Sequence, residues 1–457
     1  MSVDLSLDRV SALSKKLPKY TRPTFHVAGT NGKGSVTCLL SSILRASDLT
    51  VGRFNSPHLV SIYDCILIND EPVSQQAYQT ARQTVEAANQ AIGASSFELL
   101  TLTALLLFEN AKLDVVVVEV GMGGRLDATN VIPDDCIIAS ALTAVDLDHQ
   151  QFLGNSVELI AQEKAGIARK GKPFVMGIQK HTGVEAVVKE SVSSAGGYFV
   201  HMHAAEKRDW DSAMDDIKAL LPLYGSHQID NLGLTLSIIS TITTTPLNKD
   251  APFADLITHI TPESIRRGIR TAMWPGRLSF HRLILSSRSN PLTVLADGAH
   301  NRASSETLAT YVSEILSNIT PCQESSQSRT VHLSFILALS HSPPKTPLET
   351  LSPLLPPRVP PGIIVKLRIA AVRFTSPDGM PWVKSVPPSE LTQTVKSLVP
   401  EVDVWYAPDE SDPGRNQLES ALAWTGAAKS DANEEELVVV AGSLYLVADF
   451  YRFMLHE

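Results

Sequence analysis

The sequence predicts an α/β protein of two domains, each built on a parallel sheet. Three observations carry that class. Wholly apolar runs such as 115–118 and 437–441 have no polar face, as strands buried on both sides require. They alternate with segments of helical period, the order from which parallel sheets are wound. A break at Trp274-Pro275-Gly276 is followed by a second series of the same kind, so the domains are expected at 1–273 and 274–457.

Residues 4–17 place Leu5, Val10, Leu13 and Leu17 on one helical face, and Pro18 stops that helix. The run 25–28 is the first buried strand. A loop with glycines at 29, 32 and 34 leads from it into a helix at 36–44. A strand at 50–55 runs into Ser56-Pro57-His58-Leu59. Helices follow at 74–91 and 97–110, then strands at 114–120 and 136–143. A helix at 157–168 precedes strands at 172–177 and 197–201. Gly225 to Asn231 leads into a helix at 232–241, and 262–272 is the last helix before the break. Beyond it, strands at 292–296, 331–338, 363–374, 402–406 and 436–442 alternate with helices at 303–317, 388–398, 415–425 and 444–454. The stretch 342–361 holds eight prolines and reads as an extended surface loop, and 324–328 is a polar loop.

A net charge of −9 leaves no basic footprint for nucleic acid, so any polyanion must be bound locally. Cys38, Cys65, Cys136 and Cys322 have neither CxxC nor zinc spacing and read as buried thiols of a reducing compartment. Two acids and no base precede Arg9, which argues against a secretory or transit leader, and no apolar run approaches ~18 residues. Cytoplasm is the expected compartment, with no membrane partner.

The glycine-rich loop is a local anion site. Strand, loop and helix start aim backbone N–H groups at a phosphate, and Lys33 reaches the outer phosphates of a nucleotide. The strict Walker A spacing is not met, since its first glycine falls on Val27 and its Ser/Thr on Gly34. Glu119 closes a strand buried on both faces, where an acid is costly unless paired or on a metal. It emerges at the carboxyl end of the sheet, the position from which an acid holds Mg²⁺ beside a nucleotide. His149 lies just beyond the 136–143 strand, where a metal, phosphate or purely structural role is open. Lys164 sits among small and apolar residues of a helix, and its pattern leaves open whether it points inward. Lys33 and Glu119 together specify a nucleoside triphosphate enzyme, in which charge neutralisation at a transferring phosphoryl group is the catalysis. Arg277 with Asp297 and His300, across the break, suits closure over a nucleotide. These residues leave the phosphoryl acceptor open between water, a carboxylate and a sugar.

Nine motifs in order resemble the folylpolyglutamate synthase/dihydrofolate synthase branch of the Mur ligase superfamily. They are HVAGTNGKGSV (26–36), NSPHL (55–59), EVGMGGRLDATNV (119–131), DLDHQQFLGN (146–155), EKAGI (163–167), HQIDN (227–231), WPGRL (274–278), DGAHN (297–301) and GSLYL (442–446). The resemblance implies a Mur-ligase-like architecture, a P-loop ATPase domain followed by a smaller Rossmann-like domain. It implies ATP-dependent amide ligation: a pterin-linked carboxylate takes the γ-phosphate, and the amine of L-glutamate displaces it. Carried over by motif, Asn31, Gly32, Lys33, Gly34 and Ser35 bind the nucleotide phosphates. Asn231, Arg277 and Asp297 contact ATP, with His300 nearby. Ser56, Glu119 and His149 look like Mg²⁺ ligands, and Lys164 matches a lysine carbamylated in the family. Lys33, Lys164 and His300 are the expected catalytic residues. A monovalent cation is a further cofactor to test. The loop 56–59 is where the pterin would lie.

Departures narrow the reaction. Eukaryotic folylpolyglutamate synthases read GTKGKGS and DGAHT, whereas this chain has Asn31 and Asn301, as do fungal dihydrofolate synthases and bacterial bifunctional enzymes. Val60 to Asp64 lacks the basic residue of many bacterial members, and FLGN and GMPW (379–382) look fungal. The resemblance therefore implies glutamate addition to 7,8-dihydropteroate. The alternative is a bifunctional enzyme that also extends tetrahydrofolate. Small molecules are the expected partners, and the family is usually monomeric.

Overall fold

A computed structural model describes residues 6–207, 217, 219–244, 253–285, 290–319, 329–341, 345–377, 383–427 and 434–455. Cys322, the 324–328 loop and the GMPW run lie outside the described residues. The chain divides into two units, Met1–Trp274 and Pro275–Glu457.

In the first unit, eight strands form one sheet: β1 (Thr24–Ala28), β2 (Val51–Phe54), β3 (Ile66–Ile68), β4 (Glu71–Pro72), β5 (Val115–Glu119), β6 (Ile137–Leu142), β7 (Pro173–Met176) and β8 (Tyr198–His201). Their order is β4-β3-β2-β5-β1-β6-β7-β8, parallel from β2 to β8. β3 and β4 run antiparallel on one edge, a hairpin the sequence reading did not find. Every residue of β1, β5 and β6 is buried, which explains their lack of alternation. Side chains still divide by parity. Val116 and Val118 join the core beneath Leu99–Phe108, whereas Val115 and Val117 join Phe25, Val36, Leu40 and Ile43 on the other face. The register pairs Val27 with Glu119 and Val27 with Ala141, so the loops leaving β1, β5 and β6 emerge at one end.

The helix Lys33–Ala46 follows β1 and is buried without interruption from Ser35 to Leu44. Its neighbours include the helices His227–Thr244 and Pro262–Thr271. The former begins at His227 rather than 232, so the HQIDN motif lies inside its first turns. The N-terminal helix is shorter than its apolar pattern suggested, Asp8–Ser14.

The second unit holds β9 (Ser279–Leu283), β10 (Leu292–Ala296), β11 (Arg329–Leu337), β12 (Ile363–Ala371), β13 (Asp403–Tyr406) and β14 (Glu435–Ala441), ordered β13-β12-β11-β14-β10-β9. All neighbours are parallel except edge strand β9, which pairs antiparallel with β10. The proline-rich stretch corrects the extended-loop expectation. Thr346 caps a helix at Pro347–Leu351, and Leu351, Leu354 and Leu355 are buried in the core of this unit. Leucines between the prolines anchor the segment, a signal that proline content alone obscures. Among the described residues no helix is long and apolar enough to cross a membrane.

Candidate active site

The end of β1 is shaped by close approach. A β-carbon at Gly29 would collide with the Thr143 hydroxyl at the end of β6. The N–H groups of Thr30 and Asn31 both donate to Ala144 O, at 2.9 and 3.2 Å, which ties the loop to the neighbouring strand. Gly32, at φ +95°, is the N-cap of Lys33–Ala46 and has no Cβ to oppose that left-handed turn. The first helical bond runs from Val36 N to Gly32 O at 3.0 Å, and no side chain caps the helix. The N–H groups of Lys33, Gly34 and Ser35 therefore have no intrahelical acceptor and point off the helix end, where the dipole favours an anion. Asn31 differs from this group, because its N–H is already used by Ala144.

Asn231 comes to the same loop from the first turns of His227–Thr244. Its side chain occupies the space a β-carbon on Gly32 would need. Its Nδ2 donates to Gln228 Oε1 at 2.9 Å, and Gln228 Nε2 donates to Ser35 Oγ at 3.2 Å. The structure thus brings Asn31, Gly32, Lys33, Gly34, Ser35 and Asn231 together.

Glu119 joins them from β5. Its Oε1 stands 3.7 Å from Lys33 Nζ, which also donates to Thr30 O at 3.2 Å. Its Oε2 accepts from Asn55 Nδ2 at 2.5 Å, and the same amide donates to Thr37 Oγ1 at 2.7 Å. Asn55 Oδ1 is buried with no hydrogen-bond partner, an oxygen donor beside the carboxylate. Ser56 follows directly, half-buried.

Lys164 points inward. It is 3% exposed, and Nζ donates to Gly29 O at 2.8 Å. Burial, helped by the charge on Lys33 and opposed by Asp148 and Asp127, lowers its pKa to about 7. The glycine run after Glu119 packs on the helix Val157–Ala165 that carries Lys164: a β-carbon on Gly124 would stand 2.7 Å from Lys164 O. Asp127 holds that run by accepting from Met122 N at 2.8 Å and from Thr129 N at 3.0 Å. His149 lies at the surface just after β6, at φ +51°, with Nε2 3.8 Å from Asp148 Oδ2 and its side chain about half exposed. Among the described residues, no three His, Cys, Asp or Glu side chains gather to hold a metal unaided. Oxygen donors around one carboxylate, next to a phosphate cradle, suit a hard cation that keeps waters and shares phosphate oxygens.

In the second unit, Asp297 ends β10 and is buried. Its two oxygens accept from Leu278 N and Ala299 N, each at 2.8 Å, joining the WPGRL and DGAHN loops. Burial raises its pKa, opposed by Arg277. Arg277 lies on Gly298, where a β-carbon would strike its guanidinium, and Nη1 donates to Gly276 O at 3.1 Å. His300 Nδ1 bonds Gly298 O at 2.8 Å, which turns Nε2 outward. Arg277, Asp297 and His300 thus share one loop pair.

Sequence reasoning missed Asn55, Gln228 and Asp127. Asn55 carried a usable signal, a polar residue closing an apolar strand, the same one that singles out Glu119.

Residues 281–453 match the family model described as dihydrofolate synthetase, C-terminal domain. The dihydrofolate synthetase of Saccharomyces cerevisiae is 32% identical, over 99% of this chain and 98% of its own. Escherichia coli FolC in complex with DHPP and ADP superposes with a TM-score of 0.72 at 26% identity, covering 100% of this chain and 94% of that one. A bifunctional folylpolyglutamate synthase/dihydrofolate synthase with Mn, AMPPNP and L-glutamate bound gives 0.73 at 25% identity, covering 100% and 95%. With the nucleotide-type loop and its facing glutamate, this likeness over the whole length means that the chain belongs to the dihydrofolate synthetase and folylpolyglutamate synthase family of ATP-dependent ligases.

Proposed function

We propose that this chain joins L-glutamate to 7,8-dihydropteroate at the expense of ATP, yielding 7,8-dihydrofolate, ADP and phosphate. The observation that carries this reading is the Lys33–Glu119 pair at an uncapped helix N-terminus, within a chain alike throughout its length to a dihydrofolate synthetase. In the first step the pterin-linked carboxylate oxygen attacks the γ-phosphorus and the bond to ADP breaks, giving an acyl phosphate. In the second the glutamate amine attacks the acyl carbon, phosphate departs and the amine loses a proton. The N–H groups of Lys33, Gly34 and Ser35, with Lys33 Nζ, balance charge on the phosphates. Glu119, with Ser56 and His149, would hold Mg²⁺, and the orphaned Asn55 Oδ1 fits the same role. That ion, when bound, supplies positive charge to the phosphate oxygens.

Lys164 suits carbamylation, since a lysine with a pKa of about 7 is largely neutral at physiological pH. The neutral amine adds to CO₂ and releases a proton. The resulting carbamate would place a negative group beside Lys33. Asn231 and Arg277 serve the nucleotide. Asp297 serves it by holding the Arg277 loop, each of its oxygens accepting one backbone N–H. His300 stands in that loop with Nδ1 on Gly298 O, while Asn301 caps the helix that follows. Incubation with ATP, Mg²⁺, 7,8-dihydropteroate and labelled glutamate tests the reading. One labelled dihydrofolate per ADP is expected, and ADP release without label incorporation would overturn it.

A further inference from the structure

Gly34, Cys38 and Ser42 are spaced four apart and share one face of the helix Lys33–Ala46. The segment 268–274 runs along that face. Ser42 Oγ donates to Gly268 O at 2.7 Å, and Cys38 Sγ contacts Met273 O at 3.1 Å. At the end of the row the Trp274 indole lies on Gly34, where a β-carbon would collide with the ring. Trp274 is the last residue of the first unit.

The indole is held by a second residue. Arg53, in β2, places its guanidinium carbon 5.1 Å from the ring centroid. Arg53 is only 5% exposed, and its Nε and Nη1 are buried without a hydrogen-bond partner. Leaving N–H groups of a charged side chain unpaired is costly. The indole face and the adjacent Cys38 thiol offset part of that cost. A hydrophobic residue would suit the packing better. What the charge adds is positive potential behind a helix N-terminus that already favours anions.

We propose that Trp274 and Arg53 are positioning residues for the nucleotide, a clamp that seats Gly34 and fixes the N–H groups of the phosphate loop. The inference rests on the reading that this loop binds a triphosphate. It goes beyond that reading because neither residue belongs to the loop. Through Trp274 the seat of the phosphates is joined to the chain that leaves the unit at Pro275.

The test is calorimetric titration with Mg²⁺–AMPPNP, with parallel steady-state kinetics, on the wild type and on Trp274→Leu, Trp274→Phe and Arg53→Met. No binding by the wild type would overturn the nucleotide reading itself, a result separate from any difference among variants. With the wild type binding, Trp274→Leu is expected to weaken AMPPNP and raise the KM for ATP about tenfold, with the KM for glutamate unchanged. Trp274→Phe keeps a ring over Gly34 and should recover to within about threefold of wild type. A role in packing alone would lower Tm and the active fraction while leaving the KM for ATP in place. A folded Trp274→Leu with wild-type AMPPNP affinity overturns the proposal. Should that variant not fold, Arg53→Met decides. AMPPNP binding weakened about threefold or more supports the clamp, and unchanged binding overturns it.

Discussion

Replacing Lys164 by Met keeps an unbranched side chain in the same buried slot and removes the ammonium. In the folded protein the ammonium's pKa falls from 10.5 to about 7, chiefly because it is buried and secondly because Lys33 is near. The sign follows from proton counting. Below pH 7 both folded and unfolded chains carry the proton, and the folded protein bears the full cost of a buried charge. Between pH 7 and 10.5 the unfolded chain binds a proton that the folded one does not, so wild-type stability rises with pH relative to a variant that cannot titrate. The slope approaches about 1.36 kcal/mol per pH unit once the folded lysine has lost its proton, so the gain from pH 7 to 9 is on the order of 2 kcal/mol. Lys164→Met also leaves Gly29 O without its 2.8 Å donor, which reduces its advantage. We therefore expect Lys164→Met to be more stable at pH 6 by about 1–2 kcal/mol and to lose that lead by pH 9. Urea titrations of both proteins at pH 6, 7, 8 and 9, in CO₂-free buffer so that the amine stays unmodified, measure the difference. Stability curves that stay parallel across this range would refute the lowered pKa. The same substitution should abolish turnover. For Lys164→Ala, partial rescue by small carboxylates is the expected sign of a carbamate in the native enzyme.

Glu119→Ala should remove most activity, and turnover near the wild-type value at saturating Mg²⁺ would contradict a metal role for this carboxylate. Lys33→Ala loses the ammonium facing Glu119 and the outer phosphates; calorimetry should show no measurable ATP binding, and an unchanged affinity would contradict it. Asp297→Ala leaves Leu278 N and Ala299 N without their acceptor, at about 1–3 kcal/mol for each unsatisfied group. A lowered Tm together with a raised KM for ATP is expected. A raised KM at unchanged Tm would instead point to direct contact with the nucleotide.

The parts of the fold legible in sequence were those where burial is complete. β1, β5 and the 437–441 part of β14 are mostly apolar because both faces are covered, and the glycines between β1 and its helix mark a turn that other residues cannot follow. The edge strands β9 and β4 were missed for the complementary reason, although β8 and β13, also at sheet edges, were legible. β9 alternates half-buried and exposed residues in a segment of only five, and β4 has two, too little pattern to separate from a loop. The helix at Pro347–Leu351 was hidden by its prolines, although Pro at the first helical position is compatible with helix. At the site, Lys33 could be found because it stands in a glycine-rich loop between a strand and a helix, and Glu119 because a charged residue at the end of an apolar run is conspicuous. The inward aim of Lys164 depended on Gly29 O, more than a hundred positions away in the chain, which no local pattern encodes. Gly32 and Gly34 were legible as phosphate-loop glycines. That they also make room for Asn231 and Trp274 follows only from the packing of two segments distant in the chain.

Phosphate release by the purified enzyme, with ATP, Mg²⁺ and L-glutamate, should be compared with 7,8-dihydropteroate and with tetrahydrofolate as acceptor. Turnover with 7,8-dihydropteroate and none with tetrahydrofolate is the expected result. Turnover with both would make the enzyme bifunctional, and turnover with tetrahydrofolate alone would contradict the proposed reaction.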